Sequence, residues 1–350
     1  MSLANIQDAL CFDDVLLVPQ HSEIATRSAV DISVDLRGLG RIVLPIISSP
    51  MDTVTGSRLA KRIAELGGLG IIHRYNTIDD QCSEVSNTAH TLGFPDLTHH
   101  AGAAVGITGD FIDRASRLVE SGANVICVDV AHGDHVTALS AIEKLRSVLG
   151  YSVHIMAGNV ATREGFDRLV RAGADSVRVG IGGGSICSTR IQTGHGVPTL
   201  WSVMDCAASE NAGTVSIIAD GGIKTSGDIV KALAAGADAV MLGSLLSGTD
   251  ETPEGTVLRI DGKTHKRYRG MASIEAQVEW RGHAASEEGV SAWVESKGSL
   301  EKVLASLEKG IRSGLSYSGA TSISDLYAKA KFIRITSAGM HESRTHIHSK

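Results

Sequence analysis

Eight short runs of β-branched and aliphatic residues, each ending in glycine or a polar residue and followed by a helix-like stretch, predict an α/β protein with parallel strands. The phrase Ala172-Gly173-Ala174-Asp175 recurs as Ala235-Gly236-Ala237-Asp238, the same helix-end turn before two successive strands. Over 350 residues, eight such units point to one closed (β/α)8 TIM barrel spanning the chain. A doubly wound open sheet satisfies the same local pattern and remains the alternative.

The strands are expected at Ile42–Ser48, Leu69–His73, Ala103–Ile107, Val125–Asp129, Val153–Ala157, Ser176–Val179, Val215–Asp220 and Ala239–Leu242. Amphipathic stretches such as Arg114–Ser121, Thr137–Leu149, Arg163–Ala172 and Thr225–Ala235 lie between them. In a barrel, Asp129, Asn159, the loop 180–190, Asp220 and Gly243-Ser244 converge on the carboxyl-end face. Two regions break the pattern. Residues 251–300 are charged and glycine-punctuated and read as a flap. The stretch 332–350 leaves the barrel and ends in His346, His348 and Lys350, a solvated tail without the acids or cysteines of a metal site.

Thirty-nine glycines against five phenylalanines and three tryptophans imply many tight turns around an aliphatic core. A net charge of −6 argues against nucleic-acid or membrane-surface partners. No apolar run approaches the roughly 20 residues of a membrane span. The start, Met1-Ser2-Leu3-Ala4-Asn5, lacks the basic and apolar regions of a signal peptide. Five cysteines, odd in number and without CxxC spacing, fit a reducing cytoplasm and not a disulfide framework.

Only Cys187 has special surroundings. It stands in Val179-Gly180-Ile181-Gly182-Gly183-Gly184-Ser185-Ile186-Cys187-Ser188-Thr189-Arg190. Glycines let backbone N–H groups approach an anion, and a cysteine at the lip of such a loop is reachable as a thiolate. The segment proposes a phosphate-bearing substrate and a sulfur nucleophile together.

Phe12-Asp13-Asp14-Val15, Ser49-Pro50-Met51-Asp52-Thr53-Val54-Thr55, Gly158-Asn159-Val160-Ala161-Thr162, the cysteine loop, Ala219-Asp220-Gly221-Gly222-Ile223, Met241-Leu242-Gly243-Ser244 and Tyr268-Arg269-Gly270-Met271 follow one another in order. Together they resemble the IMP dehydrogenase/GMP reductase family over nearly the whole chain. The resemblance implies the barrel, a homotetramer, a purine nucleoside monophosphate (GMP or IMP) as substrate, and NADPH or NAD(H) as cofactor. It makes Cys187 the nucleophile at purine C2 and Thr189 the proton-handling hydroxyl beside it, which needs a carboxylate or arginine partner. The phosphate falls to Ser185, Gly222, Gly243, Ser244 and Tyr268, the ribose to Asp220, and the base to Gly270 and Met271. Asp129, Ala131, Asn159 and Gly180 lie on the nicotinamide side. No G-x-G-x-x-G follows the first strand, so the cofactor is not held as in a dinucleotide-binding fold.

The family carries two chemistries. IMP dehydrogenation passes hydride to NAD and hydrolyses the cysteine adduct to XMP, whereas GMP reduction expels ammonia and delivers hydride from NADPH to give IMP. The dehydrogenases' adjacent Arg-Tyr is missing between Met271 and Gly289; Glu279-Trp280-Arg281-Gly282-His283 stands there and resembles the reductases. Residues 74–100 are too few for the CBS pair of most dehydrogenases. The opening motif, the Ala131-His132 pair and the tail Ser337-Ala338-Gly339-Met340-His341-Glu342-Ser343 look more like dehydrogenase. That tail implies a candidate potassium site formed by Gly182, Gly184 and Cys187 with Glu342 of a neighbour. Glu288 is expected to partner Thr189, with Glu275 second, because one residue of offset in a helix turns a side chain by ~100°. GMP reduction is the favoured expectation and IMP oxidation the alternative. A reductase of a modified purine nucleotide and a non-catalytic nucleotide-binding regulator are the minor ones.

Overall fold

The computed structural model describes residues 6–89, 100–255, 257–285 and 287–343. His346, His348 and Lys350 lie outside these residues. Eight parallel strands close into a barrel in the order Ile46–Ser48, Leu69–Ile72, Ala101–Val105, Val125–Asp129, His154–Val160, Ser176–Val179, Ser216–Asp220 and Ala239–Leu242. The eighth pairs with the first through Val240–Ile46 and Met241–Ile47, so the sheet is closed and not open. All eight expected strands are present. They are buried on both faces because helices such as Phe111–Glu120, Val136–Leu149, Arg163–Arg171 and Ser226–Ala234 cover the outside.

One boundary differs for a physical reason. The first expected strand began at Ile42, but Pro45 interrupts the run and strand pairing in the barrel starts at Ile46. Ile42 instead ends a hairpin of Val34–Leu36 and Gly40–Ile42. Leu36 and Ile42 join the cluster inside the barrel formed by Ile47, Leu69, Ile71, Val125, Met156, Ile218 and Met241. The hairpin plugs the amino-end of the barrel.

The repeated helix-end turn has a definite job there. Gly122, Gly173 and Gly236 take φ of 107°, 105° and 108°, a region that favours glycine. Two residues later, Asn124, Asp175 and Asp238 each open a strand and accept from a backbone amide of the preceding strand: Ala101 at 3.0 Å, Ile155 at 2.7 Å and Ile217 at 2.7 Å. Each also donates its own amide to that residue's carbonyl. Burial pushes the Asp238 carboxyl up to about 6. Asp175 is further tied to the buried Arg146, which also donates to the carbonyls of Gly173 and Val153.

Outside the barrel, Val15–Leu17 pairs antiparallel with Phe332–Arg334, and the helix Ser337–Glu342 packs on the turn Phe12–Asp14. The flap is more ordered than its composition suggests. It forms a three-stranded antiparallel sheet (Val257–Ile260, Lys263–Arg269, Ser291–Glu295) with the helix Ile274–Arg281. Among the described residues no helix is long and apolar enough to cross a membrane.

Replacing Asp175 with alanine removes a half-buried acceptor and leaves the buried Arg146 without its carboxylate. The expected loss is about 2–4 kcal/mol of unfolding free energy, read from the shift of the urea midpoint.

Candidate active site

The carboxyl ends of the strands surround a cavity of about 410 Å³. Cys187, Thr189, Glu288, Ser185, Asp220, Gly222, Gly243, Ser244, Tyr268, Gly270, Met271, Asp129, Ala131, Asn159, Gly180, Gly182 and Gly184 all line it. Glu275 and Glu342 do not.

The cysteine loop is shaped by close approach. Gly180 has φ of 142°, and a Cβ there would stand 2.0 Å from the Asp220 carbonyl oxygen. Beyond the glycines, Cys187 donates its amide to the Gly184 carbonyl at 3.1 Å. The far end of the flap then runs alongside the loop. Ser188 donates to the Glu288 carbonyl at 3.1 Å, Val290 to that of Ile186 at 3.0 Å, and Gly270 to that of Val290 at 3.1 Å. This backbone pairing sets the Glu288 carboxylate 2.8 Å from the Thr189 hydroxyl, which stands 3.2 Å from the Cys187 sulfur. Burial pushes the thiol of Cys127 up to about 12 and raises that of Cys206, so neither supplies a thiolate.

Glu275 does not reach Thr189. It opens the flap helix near its first turn, where Arg267 and Ser291 hold its carboxylate and pull its pKa below the usual range. The one-residue offset decided between the two glutamates. Glu342 ends the helix that packs on Phe12–Asp14. The described residues contain no group of three or more His, Cys, Asp or Glu able to hold a metal ion.

Beneath the cavity, Arg178 was not anticipated. It projects from the strand Ser176–Val179, 6% exposed, and donates to Asp129 at 2.6 Å and to Asp220 at 2.9 Å. Asn159 completes the link by donating to Asp220 at 2.9 Å and to the Gly180 carbonyl at 2.8 Å. The signal was legible: an arginine inside an otherwise apolar strand is rarely buried without paired charges.

The other end of the cavity offers donors. Tyr268 is buried beside Gly243, and burial raises its phenol pKa despite the Ser185 hydrogen bond, so it stays a protonated donor. With Ser185 and the Gly222, Gly243 and Ser244 backbone it forms a pocket suited to a phosphate. At the mouth, Tyr75 donates to the Met271 carbonyl at 2.9 Å and stacks on Trp280 of the flap with centroids 5.9 Å apart. The guanidinium groups of Arg74 and Arg281 lie 5.5 and 5.9 Å from the Tyr75 ring centre. Neither the aromatic pair nor its two cations was foreseen, because the contact joins residues 205 positions apart in the chain (280 − 75).

A model of the IMP dehydrogenase/GMP reductase domain matches residues 9–346. The chain belongs to this family. The inosine-5′-monophosphate dehydrogenase of Nitrosopumilus maritimus is 35% identical over 470 aligned positions, covering 97% of this chain and 98% of that one. The GMP reductase of Leishmania major is 34% identical over 487 positions, covering 100% and 99%. A GMP reductase variant from Trypanosoma brucei, crystallised with guanosine 5′-monophosphate, has the same fold with a TM-score of 0.92, 31% identity and 99% coverage of each chain. Family membership makes the protein a purine-nucleotide oxidoreductase with NAD or NADPH as its nucleotide cofactor. The residues fit such a group. Asp129 and Asn159 present polar atoms to the cavity beyond Cys187, and the buried Nε of Arg74 has no hydrogen-bond partner there.

Replacing Arg178 with methionine leaves Asp129 and Asp220 without their shared counter-charge. Chemical unfolding should show a loss of about 3–5 kcal/mol, whereas Arg178→Lys, which keeps the charge, loses clearly less.

Proposed function

We propose that the protein is a GMP reductase, converting GMP and NADPH to IMP and ammonia. The observation that carries this reading is the flap sequence, where Glu279-Trp280-Arg281 stands between Met271 and Gly289 in place of the dehydrogenases' Arg-Tyr. The chain from the Cys187 sulfur through the Thr189 hydroxyl to the Glu288 carboxylate supplies the proton path. The Cys187 thiolate adds to C2 of the purine, and the 2-amino group must then leave as ammonia. An amine departs only when protonated, and Glu288 delivers that proton through Thr189. A bound nicotinamide supplies hydride to C2, and the sulfur leaves with its electron pair to give IMP. Arg178 holds Asp129 and Asp220 ready for the cofactor side and the ribose hydroxyls. Tyr268, Ser185 and the glycine amides would hold the 5′-phosphate, and Gly270 and Met271 the base.

IMP oxidation is the second reading, favoured by one observation: Arg281 of the flap lines the cavity, where a guanidinium is able to orient water. Against it stands the absence of Arg-Tyr between Met271 and Gly289. The reading also includes a homotetramer in the cytoplasm, built of single-domain barrels without a CBS pair. A monovalent cation held by the carbonyls of Gly182, Gly184 and Cys187 with Glu342 from a neighbour belongs to it too.

Purified protein with GMP and NADPH should lose reduced-nicotinamide absorbance and release ammonia. XMP formed from IMP and NAD, with no GMP-dependent NADPH oxidation, overturns the proposal. Thr189→Val and Glu288→Gln should each lower kcat by about 10²–10⁴ while nucleotide KM changes little. A double variant no slower than the worse single one marks them as one relay.

A further inference from the structure

Arg269 stands where the two limbs of the flap meet. Its register partner in the flap sheet is Ser291, and the adjacent Gly270 amide donates to Val290, two residues from Glu288. The side chain is 8% exposed and reaches in two directions. Its Nε and Nη2 both donate to Oδ2 of Asp52, at 2.9 and 2.6 Å. Its Nη1 is ion-paired at 2.6 Å with Glu279 on the flap helix. Asp52 belongs to the loop after the first barrel strand, and the next residue, Thr53, accepts the Arg269 amide at 3.2 Å. One guanidinium therefore joins the barrel, the turn that leads into Gly270-Met271, and the flap helix.

The pair is not a surface decoration. Asp52 has a side chain 10% exposed, and its buried Oδ1 has no hydrogen-bond partner, so Arg269 is its principal compensation. A buried carboxylate so placed is costly to leave alone and holds its partner in one geometry. The limb fixed by this pair is hydrogen-bonded through Gly270 to Val290 of the returning limb, whose backbone delivers Glu288 to Thr189. Glu279, by contrast, is 55% exposed, the weaker arm of the clamp.

We propose that Asp52 and Arg269 are positioning residues that set the Glu288–Thr189 contact, with Glu279 tying the flap helix to the same clamp. The inference rests on the reading that Glu288 and Thr189 move the proton of the leaving group. Asp52→Asn keeps the side-chain shape and removes the charge. It should lower kcat about tenfold with nucleotide KM within about twofold, and Glu279→Gln about two- to threefold. In a Glu288→Gln background both losses should vanish, because the clamp then has nothing to position. A purely structural role subtracts equally in both backgrounds and sinks the proposal, as does an unchanged kcat in Asp52→Asn. Glu279→Gln keeps the test open if the buried variant folds poorly, since its side chain faces solvent. If the wild-type protein turns over neither nucleotide, the reading of function fails by itself. The clamp is then judged by iodoacetamide labelling of Cys187, which lies against the flap end. Labelling several-fold faster in Asp52→Asn supports it, and an unchanged rate overturns it.

Discussion

The site depends on one buried cation. Arg178 rises from the floor of the cavity with a carboxylate on either side, one from the neighbouring strand and one from two strands away. Asp220 ends the seventh strand, which pairs directly with the sixth that carries Arg178, and Asp129 ends the fourth, with only the fifth strand between. Removing two carboxylates from water is expensive, and their mutual repulsion adds to it; a planar guanidinium with several donors offsets both at once. The carboxylates are thereby fixed before any ligand arrives. Asp129 and Asp220 are thus linked through a single rigid group, and Asn159 extends that link to the cysteine loop through the Gly180 carbonyl.

Above this floor the reactive chain is assembled from two distant pieces of sequence. Cys187 and Thr189 come from the loop after the sixth strand; Glu288 comes from the returning limb of the flap. They meet because backbone hydrogen bonds run between the pieces, so the carboxylate is placed by main chain and not by its own flexible stem. The flap end is consequently part of the wall of the cavity. A hydroxyl paired with a carboxylate is able to give or to take a proton.

Much of this was legible in the sequence. The barrel strands announce themselves because burial on both faces demands continuous β-branched runs, and the glycine before each repeated Asp marks a left-handed turn. The cavity residues follow from strand ends. What was not legible has physical reasons. Ile42 reads as strand because it is apolar, and only the tertiary position of the hairpin shows it to be a plug. The flap sheet exposes both faces of Val257–Ile260, so it lacks the alternation that reveals a half-buried strand. Glu275 and Glu288 are chemically alike, and the helical offset ranks them in the sequence. The backbone pairing that brings Glu288 to Thr189, however, joins segments 99 residues apart and is written in neither. The stack of Tyr75 on Trp280 joins a barrel loop to the flap, a pairing of distant segments that neither one predicts.

The turns at the amino-end also divide the barrel. Asn124, Asp175 and Asp238 staple the third strand to the fourth, the fifth to the sixth and the seventh to the eighth. At the corresponding place before the second strand stands Gly68, which has no side chain to accept an amide, and the hairpin plug lies nearby instead. Side-chain staples therefore recur with a period of two strands. The barrel is better understood as a ring of βαβ pairs than as eight equal spokes. Its seams lie between pairs, where the amino-end has no such staple among the described residues. One of them, between the sixth and seventh strands, runs directly under the Arg178–Asp220 bond, so the charge that organises the cavity is also what ties that seam shut.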